Sequence, residues 1–268
     1  MIPRGGVTIC YTLFMLLQTK IQKIAFSLLA ILLLVTTGKD WFDFYTCGAV
    51  GNCLSDAGTL QLYTKSAMTT LLTLLAFFAV PSTFSARDGK LLRIAFVFSL
   101  LADYSFSLIK AFFNDPCNIS SILGIAFFMV FQSILIYRHS RKSESDTALP
   151  KVYWLLAVAV IAGVVLMATG TLDLVTAVVA VYAVFVITSV VVGFLAPRKG
   201  YFPAVNAKLI RWGMLAFFCC DACVGLSMAG GDDHTTMMTV SEIANNFIWW
   251  FYVPAQLMLI RATVKPQA

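Results

Sequence analysis

Two aspartates are set in apolar sequence, Asp103 in FSLLADYSFSLIK and Asp221 in GMLAFFCCDACVGL. A carboxylate at the centre of a membrane-spanning helix costs on the order of 3 kcal/mol on insertion scales, so such a residue marks proton handling, an ion pathway or a polar tie between helices. Helical spacings of three, four and seven give each its companions on one face. Ser99, Asp103, Ser107 and Lys110 align in one segment, and Lys65, Ser66, Thr69 and Thr73 in the segment before it. Gln132 stands alone in GIAFFMVFQSILIY, while Asn245, Trp249, Tyr252 and Gln256 align near the end of the chain. Taken singly, Ser and Thr can bond their own helix, a Gln can join two helices, and Trp or Tyr can anchor at an interface. Counted at 1.5 Å per residue, Asp103, Asp221, Gln132 and Gln256 are expected near one level, around the midplane, which calls for a polar chamber inside a bundle.

The elements that must position these residues are membrane helices. Of 268 residues, 60% are hydrophobic and only 12% charged, against about 25% charged in soluble chains. Crossing a hydrocarbon layer of ~30 Å takes about 20 apolar residues. Eight runs qualify, at roughly 22–38, 66–84, 91–112, 118–138, 151–169, 172–195, 208–228 and 242–261. None shows the two-residue alternation of barrel strands. The fold class expected is therefore an all-α integral membrane protein, a bundle of about eight transmembrane helices. Lys20 and Lys23 before the first run resemble a secretory leader, but no small-x-small cleavage site follows, so the run counts as a helix. The division expected is an interfacial segment at 1–21, one transmembrane domain at 22–261 and a tail at 262–268.

Charge sets the orientation. With eight spans, Lys39, Lys65 and Lys110 fall on one side and the other Lys and Arg residues, among 19 in all, on the opposite side. Basic loops stay cytoplasmic, so both termini are expected inside. Asp40, Asp43, Asp56, Asp115, Asp173, Asp232, Asp233 and Glu242 fall outside, and Asp88, Glu144 and Asp146 inside. Asp103 and Asp221 are left as the two acids within the bilayer. The net charge of +6 reflects this orientation and does not call for nucleic acid. Cys47 and Cys53 fall on the outer side, where a disulfide is permitted. Cys219, Cys220 and Cys223 surround Asp221, but neighbouring helical residues point about 100° apart, so they are read as helix-contact residues and no metal is expected.

The sequence resembles the YhhN family of eight-helix membrane proteins, whose characterised members are lysoplasmalogenases. The motifs that carry the resemblance are YTKSAMTTLLTLLA, FVFSLLADYSF, GIAFFMVFQSILIY, GMLAFFCCDACVGL and FYVPAQLMLI, in order from about residue 60 to 261. Ser66 stands where the family has Pro, Ala102 where it has Gly, Cys220 where it has Ser, and Gln132 where it has His. Both aspartates match.

The resemblance implies a membrane-embedded ether hydrolase with Asp103 and Asp221 as the catalytic pair and Lys65, Tyr252 and Gln256 in support. Thr69, Ser99 and Gln132 complete the expected substrate-binding set. Its substrate would be a lysophospholipid, the lysoplasmalogen, drawn from the bilayer. Vinyl ethers hydrolyse in acid, and burial beside a like charge favours the protonated form of a carboxyl. Neither metal nor organic cofactor is required. Lys65 has two readings, as a phosphate ligand and as an anchor snorkelling to the interface. A multi-pass location follows, the plasma or inner membrane in a bacterium. A proton-coupled or small-solute transporter and a non-catalytic lipid-binding bundle are the competing readings, and the oligomeric state stays open.

Overall fold

The structure is a computed structural model describing residues 20–47, 57–79, 83–112, 118–228 and 236–266. Among the described residues the chain forms eight helical rods. These are α1 (Lys20–Cys47), α2 (Ala57–Phe78), α3 (Ala86–Tyr104), α4 (Ile119–Ser140), α5 (Val152–Ala168), α6 (Leu174–Lys199), α7 (Ala204–Met228) and α8 (Thr236–Arg261). Helix α3 continues through a π-helical stretch, Ser105–Ile109, into a last turn at Lys110–Phe112. A single bridge between Thr83 and Val264 is the one extended pairing described.

Five rods, α1, α3 with its π-helical extension, α4, α6 and α7, are long and apolar enough to cross a membrane; α5 is apolar but shorter. The other two, α2 and α8, carry Gln61, Thr64, Lys65, Thr69, Thr73, Asn245, Asn246 and Gln256. Their polarity has a structural reason, because they wall the interior in which the aspartates lie. Apolar surface faces outward instead. Trp154 is 78% exposed and Ile161 63%, as suits helices bathed in lipid tails.

The core is an aromatic ladder across α3, α4, α7 and α8. Phe96 meets Phe131, Phe131 meets Phe217, and Phe217 meets Tyr252, with ring centroids 6.3, 5.4 and 5.8 Å apart. Helices α7 and α8 approach closely at Gly213, where a Cβ would lie 3.2 Å from Met258 Cβ and 3.3 Å from the Ala255 carbonyl oxygen. Backbones can approach this closely only where the side chain is minimal.

One end of the bundle is closed by buried polar groups. Arg138 of α4 donates through Nε and Nη2 to the two carboxylate oxygens of Asp88 at 2.7 and 2.8 Å, and Nη2 also reaches Thr263 Oγ1 at 2.8 Å. Both charged side chains are fully buried. Asn206 of α7 donates to the carbonyls of Ala262 and Val264 at 2.8 and 2.9 Å. Ser85 caps α3 by accepting from the Asp88 amide at 3.1 Å and donates to Glu144 Oε2 at 2.5 Å. The Tyr201 hydroxyl adds a donor to the same oxygen at 2.8 Å. Ser85 first, then Tyr201, hold the Glu144 carboxyl below its ordinary range against a smaller opposing effect of burial.

These contacts revise several expectations. Helix α1 runs nine residues past position 38 to Cys47, so Lys39, Asp40 and Asp43 are helical, and Asp40 is only 4% exposed. Helix α2 begins at Ala57, which puts Lys65 more than two turns inside it. Asp88 and Arg138, assigned to a loop and a helix end, form a buried ion pair because the bundle packs over both termini of that end. Asp103 and Asp221 are therefore not the only enclosed acids. His139 lies within α4 and is buried. Residues 262–264 pack into the closed end. Cys53, with which a disulfide from Cys47 was read as permitted, and residues 1–19 lie outside the described residues.

Candidate functional site

Asp103 is placed by the polar face of α3. Three side-chain pairs clasp that face to α2: Thr69 Oγ1 donates to Asp103 Oδ2 at 3.0 Å, Thr70 and Tyr104 hydroxyls meet at 2.7 Å, and Ser66 and Ser107 at 3.3 Å. The π-helical stretch opens directly after Asp103 and Tyr104, and such local rewinding of a helix is frequent at functional sites. Phe106 in this stretch lies so close to α4 that a Cβ on Gly124 would fall 2.5 Å from its ring.

From the other side, α8 contributes a relay. Gln256 Nε2 donates to Ser99 Oγ at 3.0 Å, Ser99 and the Tyr252 hydroxyl meet at 2.8 Å, and Tyr252 donates to Asp103 Oδ2 at 2.5 Å. Asp103 Oδ2 thus accepts from two hydroxyls on two different helices. Both bonds would strengthen with Oδ2 ionised, since hydrogen bonds to a charged acceptor are about twice as strong as neutral ones.

Asp221 of α7 has one hydroxyl donor, Tyr182 of α6, at 3.0 Å on Oδ2. It lies within electrostatic reach of Asp103. Both aspartates are half-buried. Cys220, buried behind Asp221, feels the field of both carboxyls and is a free thiol, as are Cys219 and Cys223. Among the described residues no three His, Cys, Asp or Glu side chains converge as metal ligands would.

A family model, the YhhN family, matches residues 60–263. The chain belongs to the YhhN family. No curated protein and no solved structure gives a match. Within this YhhN chain, Asp103, Thr69, Ser99, Tyr252 and Gln256 form one connected network. Gln256 bonds Ser99, one turn along α3 from Asp103, and Gln132 is next to Tyr182, the hydroxyl donor to Asp221.

Gln132 is fully buried, and neither its Oε1 nor its Nε2 has a hydrogen-bond partner among the described residues. It lies beside Tyr182 without reaching bonding geometry in these side-chain positions. Lys65 is not joined to the aspartates. It sits one turn from Thr69 on α2 and within electrostatic reach of Asp40. Tyr182 is the site residue that sequence reading missed. Its signal was a lone tyrosine in the Val-rich run LVTAVVAVYAVFVITSVVV, which a hydropathy count absorbs as one more apolar position.

Proposed function

We propose that this YhhN-family protein is a membrane-embedded hydrolase of the vinyl ether bond of lysoplasmalogens. The observation that carries the reading is that Asp103 of α3 and Asp221 of α7, both half-buried, lie within electrostatic reach of each other and each accepts from a tyrosine hydroxyl. Family membership supports it.

The reaction needs a proton donor and a stabiliser of positive charge. Asp221, with one donor, carries the proton and delivers it to the β-carbon of the vinyl ether. The α-carbon and ether oxygen then share an oxocarbenium charge. Asp103, held as the carboxylate by Tyr252 and Thr69, faces that charge and orients water toward the α-carbon, where a fixed counter-charge is most effective in a dry site. Water adds, its extra proton returns to a carboxylate, and the hemiacetal collapses to a fatty aldehyde and a glycerophospho-headgroup with a free hydroxyl. The acyl-like chain enters from lipid and the headgroup stays toward the Lys65 end. In this reading the protein spans the membrane eight times with both termini cytoplasmic.

The test is aldehyde release from lysoplasmenylethanolamine by the purified protein in lipid nanodiscs. Turnover is expected in the wild type, with a loss of at least a hundredfold in Asp103→Asn and in Asp221→Asn, both retaining their thermal midpoints within a few degrees. Added formate, a small carboxylate, should restore part of the rate to Asp103→Asn and none to Asp221→Asn. Normal turnover by both variants would sink the mechanism, and solute flux without product would favour a carrier.

A further inference from the structure

At the end of the bundle opposite the Asp88–Arg138 pair, three helices bring charges together. Helix α1 supplies Asp40 with Lys39 and Asp43, α2 supplies Gln61 and Lys65, and α8 supplies Glu242; Asp40 lies in the electrostatic field of the other four charged groups. Lys39 is already committed, as its ammonium is paired with Asp43 one turn on. Gln61 Nε2 donates to Asp40 Oδ1 at 2.5 Å.

Two groups are uncommitted. Asp40 is 96% buried by its 4% exposure, yet its second oxygen, Oδ2, has no hydrogen-bond partner among the described residues. Lys65 is half-buried beside it and forms no hydrogen bond and no ion pair within 4 Å among the described residues. A buried carboxylate oxygen without a donor carries the full cost of its lost hydration, so a site that retains one is shaped for a donor that arrives from outside.

The register ties this cluster to the reaction site. Lys65 and Thr69 are four residues apart on α2, and Thr69 donates to Asp103 at 3.0 Å. Residues at this spacing lie one above the other, with Cβ atoms roughly 5–6 Å apart. In a lysoplasmalogen the phosphorus is five covalent bonds from the vinyl ether oxygen, through the three glycerol carbons, which spans about one helical turn. With the ether at Asp103, the phosphate reaches Lys65 and the group beyond it reaches Asp40.

We propose that Asp40 Oδ2, with Glu242 nearby and Lys65 on the phosphate, forms a subsite for the primary ammonium of a phosphoethanolamine-type headgroup. A primary ammonium has N–H bonds to give to the orphan oxygen. A quaternary ammonium has none and is wider, so it is disfavoured in so enclosed a position. A headgroup that ends at the phosphate leaves the carboxylate unanswered and adds a like charge. The proposal rests on the hydrolase reading for its register, and its binding part can be tested apart from it.

The experiment has two arms. In the first, aldehyde release is compared for the ethanolamine, choline and bare-phosphate forms of one vinyl ether lysolipid. The wild type is expected to favour ethanolamine over the others by about tenfold or more in kcat/KM, the scale of one hydrogen bond to a charged group. Asp40→Asn, which keeps the bond from Gln61, should erase that preference through KM with kcat retained. In the second arm, an ester-linked lysophosphatidylethanolamine, which contains no vinyl ether, is bound to the protein in nanodiscs and read by thermal shift. Saturable binding that weakens about tenfold in Asp40→Asn and in Glu242→Gln, with lysophosphatidylcholine binding unchanged, supports the subsite even if no vinyl ether is cleaved. Free phosphoethanolamine should compete only weakly, since it lacks the chain. Equal binding of all three headgroups by the wild type, or an equal loss for all three in Asp40→Asn, would overturn it.

Discussion

The Tyr252 hydroxyl donates to Asp103 Oδ2 at 2.5 Å while its own oxygen meets Ser99 at 2.8 Å. The ring is buried against Trp249 and Phe217, with centroids 5.3 and 5.8 Å away. Tyr252→Phe therefore removes both of these bonds, the one to the charged acceptor being the stronger, and keeps the packing. A hydrogen bond to a charged acceptor contributes about 1.5–3 kcal/mol, so aldehyde turnover should fall roughly ten- to a hundredfold. A thermal midpoint lowered by no more than a few degrees would show that the fold is intact.

Gln132 predicts the opposite balance. Its amide is fully buried with neither polar atom partnered among the described residues, and an unmet buried polar group costs about 1–3 kcal/mol. Gln132→Leu, close in volume, should leave thermal stability equal or higher while turnover falls, because the amide adjoins Tyr182 and so the proton-bearing side of the site. A loss of stability with activity preserved would show that the amide serves packing alone.

The Asp88–Arg138 pair offers a stability test far from the reaction. Both side chains are fully buried, and removal of one partner from such a pair leaves an uncompensated charge worth about 3–5 kcal/mol. Arg138→Leu should lower stability to denaturant on that scale. Adding Asp88→Leu in the same chain should recover much of the loss, since an apolar pair carries no stranded charge.

The Glu144 carboxyl sets a pH dependence of stability. The hydrogen bond from Ser85, then that from Tyr201, lower its value below the ordinary 4.5. A depressed carboxyl stabilises the fold fully above its unfolded value and ceases to do so as pH falls through the folded one. Ser85→Ala should thus be less stable than the wild type at pH 7, and the part of the difference that depends on Glu144 should fade as pH falls through its depressed value, leaving the pH-independent loss of the α3 cap. Because Glu144 is largely exposed, the difference should be small and should shrink in high salt.

What could be read from the sequence followed helical periodicity. Asp103, Ser99 and Thr69, and Tyr252 with Gln256, lie on faces that a 3.6-residue repeat reveals, and the structure connects them across three helices. Periodicity does not say how far one helix slides along the next. Hence Asp40, taken for a loop residue, lies within α1 beside Gln61 of α2 and near Glu242 of α8. Tyr182 was hidden for a different reason, since its apolar ring and single hydroxyl look the same in a sequence whether the hydroxyl meets a carboxyl or water.

The closure made by Thr263 and Val264 also bears on the order of assembly. These residues follow α8, so the bond from Arg138 to Thr263 and those from Asn206 to Ala262 and Val264 arise only after every helix has left the ribosome. Until then Asn206 of α7 lacks both of its acceptors, and Arg138 of α4 lacks its bond to Thr263. The end of the bundle that looks most rigid in the finished protein is therefore the last to be sealed during its synthesis.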